Sequence, residues 1–431
     1  MKILPLVLIG AVALSAGDEK RAAPELPPAL RAIVDLARAS SPELFADTVA
    51  GLVEHGRIPQ REARIDLLEQ AFAAASGAAE PYRLTAIPAT LPDTRALYRD
   101  KAGALGLDAL SLQSRIVREM LRLDREKARA LFDSVARPAL EPRPCEDPLV
   151  ADISAYYEMA AAVAQSTFTA AEKEKSAQVQ FLEGILDGAR SPGELLPFLR
   201  AIKSMDLSPP QRDLLLAAFA EKLESIRPDY RPFAMTFDSL TAQIGTGRPA
   251  LTAALHDYAL AQSRAVRCGP DFGPRIFDSG EEVRPAKIEG GVKADPYFES
   301  GDSRQIGDEL KALRNLTPSA DQFSNRLADF LRDFAAWRPP SEEIDAFHQR
   351  ATVFRSLLDV VPRGEDQNRV LDLCVSFLAT SSAERDHPGE WLYQVKMVLD
   401  APGIDAGRLL GLFRGSGSPG LALLAATKPG T

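Results

Sequence analysis

Four histidines are the side chains in this chain best suited to moving protons or holding a metal, and they stand far apart: His55, His256, His348 and His387. His256 is followed by Asp257, a pair of the kind on which metal-dependent phosphohydrolases build. Those sites also draw His and Asp ligands from neighbouring helices. Beside Leu251, Leu255 and Tyr258, His256 reads first as a half-buried packing residue. Asp345 and His348 stand at i and i+3, a spacing that puts both on one metal when further ligands converge. A di-iron bundle needs two such motifs and two more Glu-bearing helices, so the simpler account is an ion pair on a helix surface. His55 precedes Gly56 at a predicted helix end, where its charge complements the carbonyl end of the dipole. His387 precedes a proline in a turn and suggests no chemistry. Tyr156 and Tyr157 are adjacent on an alanine-rich helix and suit either core filling or the wall of a groove for a peptide or glycan.

Other patterns are weaker. Gly415-x-Gly417-x-x-Gly420 has the letters of a dinucleotide loop, but that loop needs a preceding strand and a βαβ unit. Here a helix precedes it and eleven residues follow, so it reads as tail. Asp278, Glu281, Glu282, Asp295 and Glu299 offer oxygens of the kind calcium takes. Arg275, Arg284, Lys287 and Lys293 interleave with them and make a solvated, self-neutralising loop. There is no H-E-x-x-H, P-loop, G-x-S-x-G or EF-hand pattern. The expectation is no cofactor, no metal and no assigned catalytic residue, with His256, Asp257, Tyr156 and Tyr157 as the leading functional candidates.

These residues need elements to carry them, and the apolar spacing is helical almost throughout. Leu44, Phe45, Thr48, Val49, Leu52 and Val53 form one wide stripe; Phe323, Leu327, Phe330, Leu331, Phe334 and Trp337 form another. Sustained period-two alternation and hairpin signals are absent. Starts are legible where an oxygen-bearing residue precedes proline: Ser41-Pro42, Ser191-Pro192, Ser208-Pro209 and Thr317-Pro318. Thr169 to Glu172 spells a capping box. The motif D-L-L-x-x-A-F-A occurs twice, from Asp66 to Ala73 and from Asp213 to Ala220, each time after a capped helix and a proline turn. The predicted fold is all-α, with about 17 or 18 helices as tandem antiparallel hairpins in an irregular α-solenoid-like array.

Lys2, the apolar run Ile3 to Leu14 and the small residues Ser15, Ala16 and Gly17 have the order of a secretory signal peptide. The run covers twelve positions, short of the ~20 a spanning helix takes. The expected organisation is a signal peptide at 1–16, a helical array at 17–268, a Gly/Pro-rich charged loop at 269–301, a helical unit at 302–414 and a flexible tail at 415–431. The expected location is secreted or periplasmic, with no membrane span after cleavage. Export permits disulfides, and Cys145 and Cys268, both in Pro/Gly-rich loops, are the expected pair. Cys374 lies in the apolar run V-L-D-L-C-V-S-F-L and reads as a small buried hydrophobe. A net charge of −9 weighs against nucleic acid as a partner.

Stacked hairpins present an extended concave surface, which such folds use for partners. The expected function is therefore a binding or scaffold module, its partner another protein or envelope component. A helical metal-dependent hydrolase centred on His256 and Asp257 is the alternative, and a helical carrier of an apolar ligand the third possibility.

Overall fold

The computed structural model describes residues 26–86, 94–140, 149–227, 240, 248–265, 301–316, 321–339 and 343–427. The chain is all-α, with 20 α-helices among those residues. The first group is α1 (Pro28–Ala39), α2 (Pro42–Glu54), α3 (Arg61–Ala75), α4 (Thr94–Gly103), α5 (Ala109–Leu123), α6 (Arg125–Asp133) and α7 (Ser154–Thr167). Next come α8 (Ala170–Glu174), α9 (Ala177–Asp187), α10 (Leu195–Lys203), α11 (Pro209–Ser225) and α12 (Pro249–Ala265). Then follow α13 (Gly301–Arg314), α14 (Asp321–Ala336), α15 (Glu343–Val360) and α16 (Glu365–Thr380). The last are α17 (Ala383–Asp386), α18 (Pro388–Leu399), α19 (Ala406–Gly415) and α20 (Pro419–Thr427).

The starts follow from capping. Ser41 accepts from the Leu44 amide ahead of Pro42, and Asp108 accepts from the Ser111 amide at 3.0 Å. Complete capping boxes form at Thr169–Glu172, Ser191–Glu194 and Ser208–Gln211. Each satisfies amides that a helix start would otherwise leave without partners. At the other end of α2, the His55 ring bonds the Gly51 carbonyl at 2.7 Å and Gly56 takes φ +64°, a terminus that glycine accommodates without strain. Thr317-Pro318 lies outside the described residues.

One short ribbon departs from the helical reading. Strands β1 (Leu84–Ala86) and β2 (Leu149–Ala151) pair antiparallel, with Thr85 opposite Val150. Three residues are too few for period two to register in sequence, and their pairing spans more than sixty positions of chain.

Helices pack first on their chain neighbours: α2 on α3, α3 on α5, α5 on α7, α7 on α9 and α10, and α9 on α11. The α-solenoid-like arrangement does not follow from this. In an open stack each hairpin touches only its neighbours, whereas here α1 packs on α20 and α4 packs on α18. The first and last described helices meet.

Candidate functional site

The predicted candidates separate into an exposed pair and a buried one. The side chains of His256 and Asp257 are 71% and 79% exposed, and their nearest polar atoms lie 3.6 Å apart. His256 is not the half-buried packing residue its apolar neighbours suggested: Leu251, Leu255 and Tyr258 are buried, and His256 stands on the opposite, solvent side of α12. Acids on neighbouring elements that could join it have partners of their own. Asp152 faces Arg83 and caps Ser154, and Asp213 pairs with Arg248. Asp238 lies outside the described residues. No group of three metal-binding side chains converges among the described residues.

Tyr156 and Tyr157 do not line a groove. Both are buried, packed edge to face against each other. Tyr157 donates to the Glu194 carboxylate at 2.7 Å, and burial together with that carboxylate pushes its hydroxyl pKa up. Arg137 reaches the same oxygen at 3.4 Å and donates to the Ile185 carbonyl at 2.6 Å. Cys374 is buried, and burial pushes its thiol up to about 12. Cys145 and Cys268 lie outside the described residues.

The densest polar cluster is one that spacing alone misassigned. His348 is not on a surface and does not pair with Asp345; it is fully buried and bonds Glu390 of α18 through Nε2. Its Nδ1 accepts from the Gln394 amide at 2.9 Å, and the Tyr98 ring stacks on it at 4.1 Å. Tyr98 in turn shares a 2.7 Å hydrogen bond with Thr352. Arg95, one turn before Tyr98 on α4, donates to the same Glu390 oxygen and lies 3.3 Å from Asp345. So α4, α15 and α18 each contribute charged or aromatic groups to one buried knot.

The electrostatics are consistent. Burial lowers the His348 pKa and outweighs the pull of Glu390, so the ring is neutral and its Nε2 carries the proton it donates. Burial alone would raise Glu390, but its bonds to His348 and the charge of Arg95 hold it below the usual carboxylate range. An ionised carboxylate is thereby matched by Arg95 and solvated by His348.

No protein-family profile, curated protein or solved structure matches the chain. The knot must therefore be read from its own geometry.

A third acid sits beside it. Glu80, in the segment between α3 and β1, accepts from the Gly389 amide at the first turn of α18, at 2.6 Å. Its neighbour Ala79 donates to Glu43 of α2 at 2.6 Å. Glu43 and Asp108 are buried, and each has one oxygen without a hydrogen-bond partner. His348 is sealed, and both of its ring nitrogens are committed to side chains that tie α15 to α18.

The surface offers a different feature. A groove of about 540 Å³ runs between α11 and α12, lined by Leu216, Ala217, Ala220, Pro249 and Leu251, with the Asp213–Arg248 ion pair at 3.2 Å on its edge. Leu214, three positions before Ala217 on α11, is 51% exposed.

Proposed function

We propose that the protein is an exported helical scaffold that docks an apolar segment of a partner protein along α11, beside the groove it forms with α12. The observation that carries this is the unequal use of the two D-L-L-x-x-A-F-A copies. In the first, Leu67 is 3% exposed; its counterpart in the second, Leu214, is 51% exposed. The same motif keeps a leucine at a position that the first copy covers and the second leaves open. A leucine left in water forgoes ~1.5–3 kcal/mol of burial, which a partner can recover. The exposed Ala217 next to it lets a partner's backbone approach closely.

The two other expected functions have less support. His256 and Asp257 stand in solvent, and no group of three metal-binding side chains converges among the described residues. A carrier calls for an enclosed chamber, and the α11–α12 groove is open.

The test is a photo-crosslinking residue at position 217 in cells expressing the full chain, with position 311 as a control on another face. A recurrent crosslinked protein from 217 alone, lost on Leu214→Asp while the helical spectrum is retained, is the expected result. Equal yields from both positions, or a product that survives Leu214→Asp, overturns it. Mass spectrometry of the exported protein should find Ala16, Gly17 or Asp18 at its N-terminus; an intact Met1 rules out cleavage.

A further inference from the structure

We propose that Glu80 is a pH-responsive latch: as a carboxylic acid it fastens the segment after α3 to the first turn of α18, and as a carboxylate among other acids it lets those two segments part. This is independent of what the protein binds.

The geometry places Glu80 at a junction between distant parts of the chain. Its Oε1 holds the Gly389 amide at 2.6 Å across 309 positions of sequence. The approach is close: a Cβ at Gly389 would lie 3.1 Å from the Glu80 carboxyl carbon. The helix start it serves has no cap of its own, because His387 at that position makes no side-chain capping bond. Among the described residues, the charged groups that act on Glu80 are Glu390 from α18, Glu43 from α2 and Asp108 from the cap of α5, all of them acids. Arg95 and His348, the groups that could compensate, are engaged with Glu390. A neutral carboxyl suits such a place: it accepts from Gly389 without adding charge beside Glu43, Asp108 and Glu390. An ionised one adds a like charge to them.

The titration agrees with the geometry. Burial is the main cause, with Glu390, Glu43 and Asp108 adding to it, and the Gly389 amide opposes; together they raise Glu80 from 4.5 to about 7. Burial also raises Asp108. A carboxyl whose folded pKa lies above its unfolded value contributes stability that is complete below about 4.5 and is lost as the pH climbs through about 7. Neutral His348 acts in the opposite sense, losing stability as the pH falls from 6.5. The latch therefore loosens on the alkaline side.

The test is hydrogen exchange of the full chain, corrected for intrinsic rates, on the peptide covering residues 388–392. Between about pH 6 and about pH 8.5, linkage predicts that protection falls about tenfold in the native protein and less than about twofold in Glu80→Gln. Glutamine keeps an acceptor for Gly389 but cannot ionise. Carbon-13 labelled glutamate should show one carboxyl titrating near 7. Unchanged protection in the native protein, or the same loss in Glu80→Gln, overturns the proposal, as does loss in the α5 peptide that persists in that variant.

Discussion

Two turns in this molecule share the letters Pro-Gly-Glu and resolve the same problem in different ways. In Ser191-Pro192-Gly193-Glu194 the helix start is closed locally. The Ser191 hydroxyl accepts from the Gly193 amide at 3.2 Å, and Glu194 folds back to accept from the Arg190 and Ser191 amides at 2.6 and 2.9 Å. In His387-Pro388-Gly389-Glu390 the cap has no hydroxyl. Glu80 takes the place of the serine on the Gly389 amide, and Glu390 turns away to bind His348 and Arg95. Both glutamates are buried and both meet an arginine. One is satisfied mainly by its own turn; the other is satisfied by α4 and α15. A missing local cap has become a long-range tether, and the segment after α3 is joined to α18 where it acts.

The largest expected effect follows from that difference. Glu390→Ala leaves Arg95 without its closest counter-charge and His348 without an acceptor in a buried site. Breaking a buried pair by removing one partner costs about 3–5 kcal/mol. Denaturant unfolding should show that loss, and should show it first as release of α4 from α18. A loss under about 1 kcal/mol would mean the knot is not a fastening.

The middle effect is at the first turn. Glu194→Ala removes the acceptor for Tyr157 and for two backbone amides, while Arg137 keeps its bond to the Ile185 carbonyl. A cost of about 2–3 kcal/mol is expected, with unfolding confined to the neighbourhood of α7, α9 and α10. If Glu194→Ala were the more damaging of the two, the distinction between local and long-range closure would fail.

The same contrast separates what could be read in the sequence from what could not. The Ser191 turn was legible because hydroxyl, proline and glutamate sit within four residues and capping depends on nothing further away. Helical class was legible for the same reason: stripes such as Leu44 to Val53 carry the period in one short window. His348 was noticed, but its partners are chosen by packing. Glu80 and Arg95 stand in stretches without a motif, and Glu390 follows a His-Pro turn whose letters suggest no chemistry. The available signal was the second Pro-Gly-Glu itself, with histidine where the first has serine. An uncapped helix start demands an acceptor from elsewhere, although nothing in the local spacing says that it comes from Glu80. Burial of Tyr156 and Tyr157 and exposure of His256 were likewise settled by which faces of α7 and α12 the neighbouring helices cover.

The smallest effect tests the two turns at their shared glycine. A methyl group added at Gly193 would lie 2.9 Å from Leu140 Cδ1, the far end of a flexible side chain that can swing aside. Alanine is also the better helix former, so Gly193→Ala should leave stability within about 0.5 kcal/mol of the native value. At Gly389 the methyl group would meet the Glu80 carboxyl at all three of its atoms, from 3.1 to 3.3 Å. That carboxyl cannot retreat without giving up the Gly389 amide it bonds at 2.6 Å. Gly389→Ala should therefore cost about 1 kcal/mol more than Gly193→Ala, the worth of one hydrogen bond. Denaturant midpoints measured side by side in mildly acidic buffer, where Glu80 is neutral, give the comparison. The difference should vanish when both substitutions are placed on Glu80→Ala, because the tether that penalises the methyl group is then gone. A difference that persists there would locate the strain in the helix start itself and not in its partner from the other end of the chain.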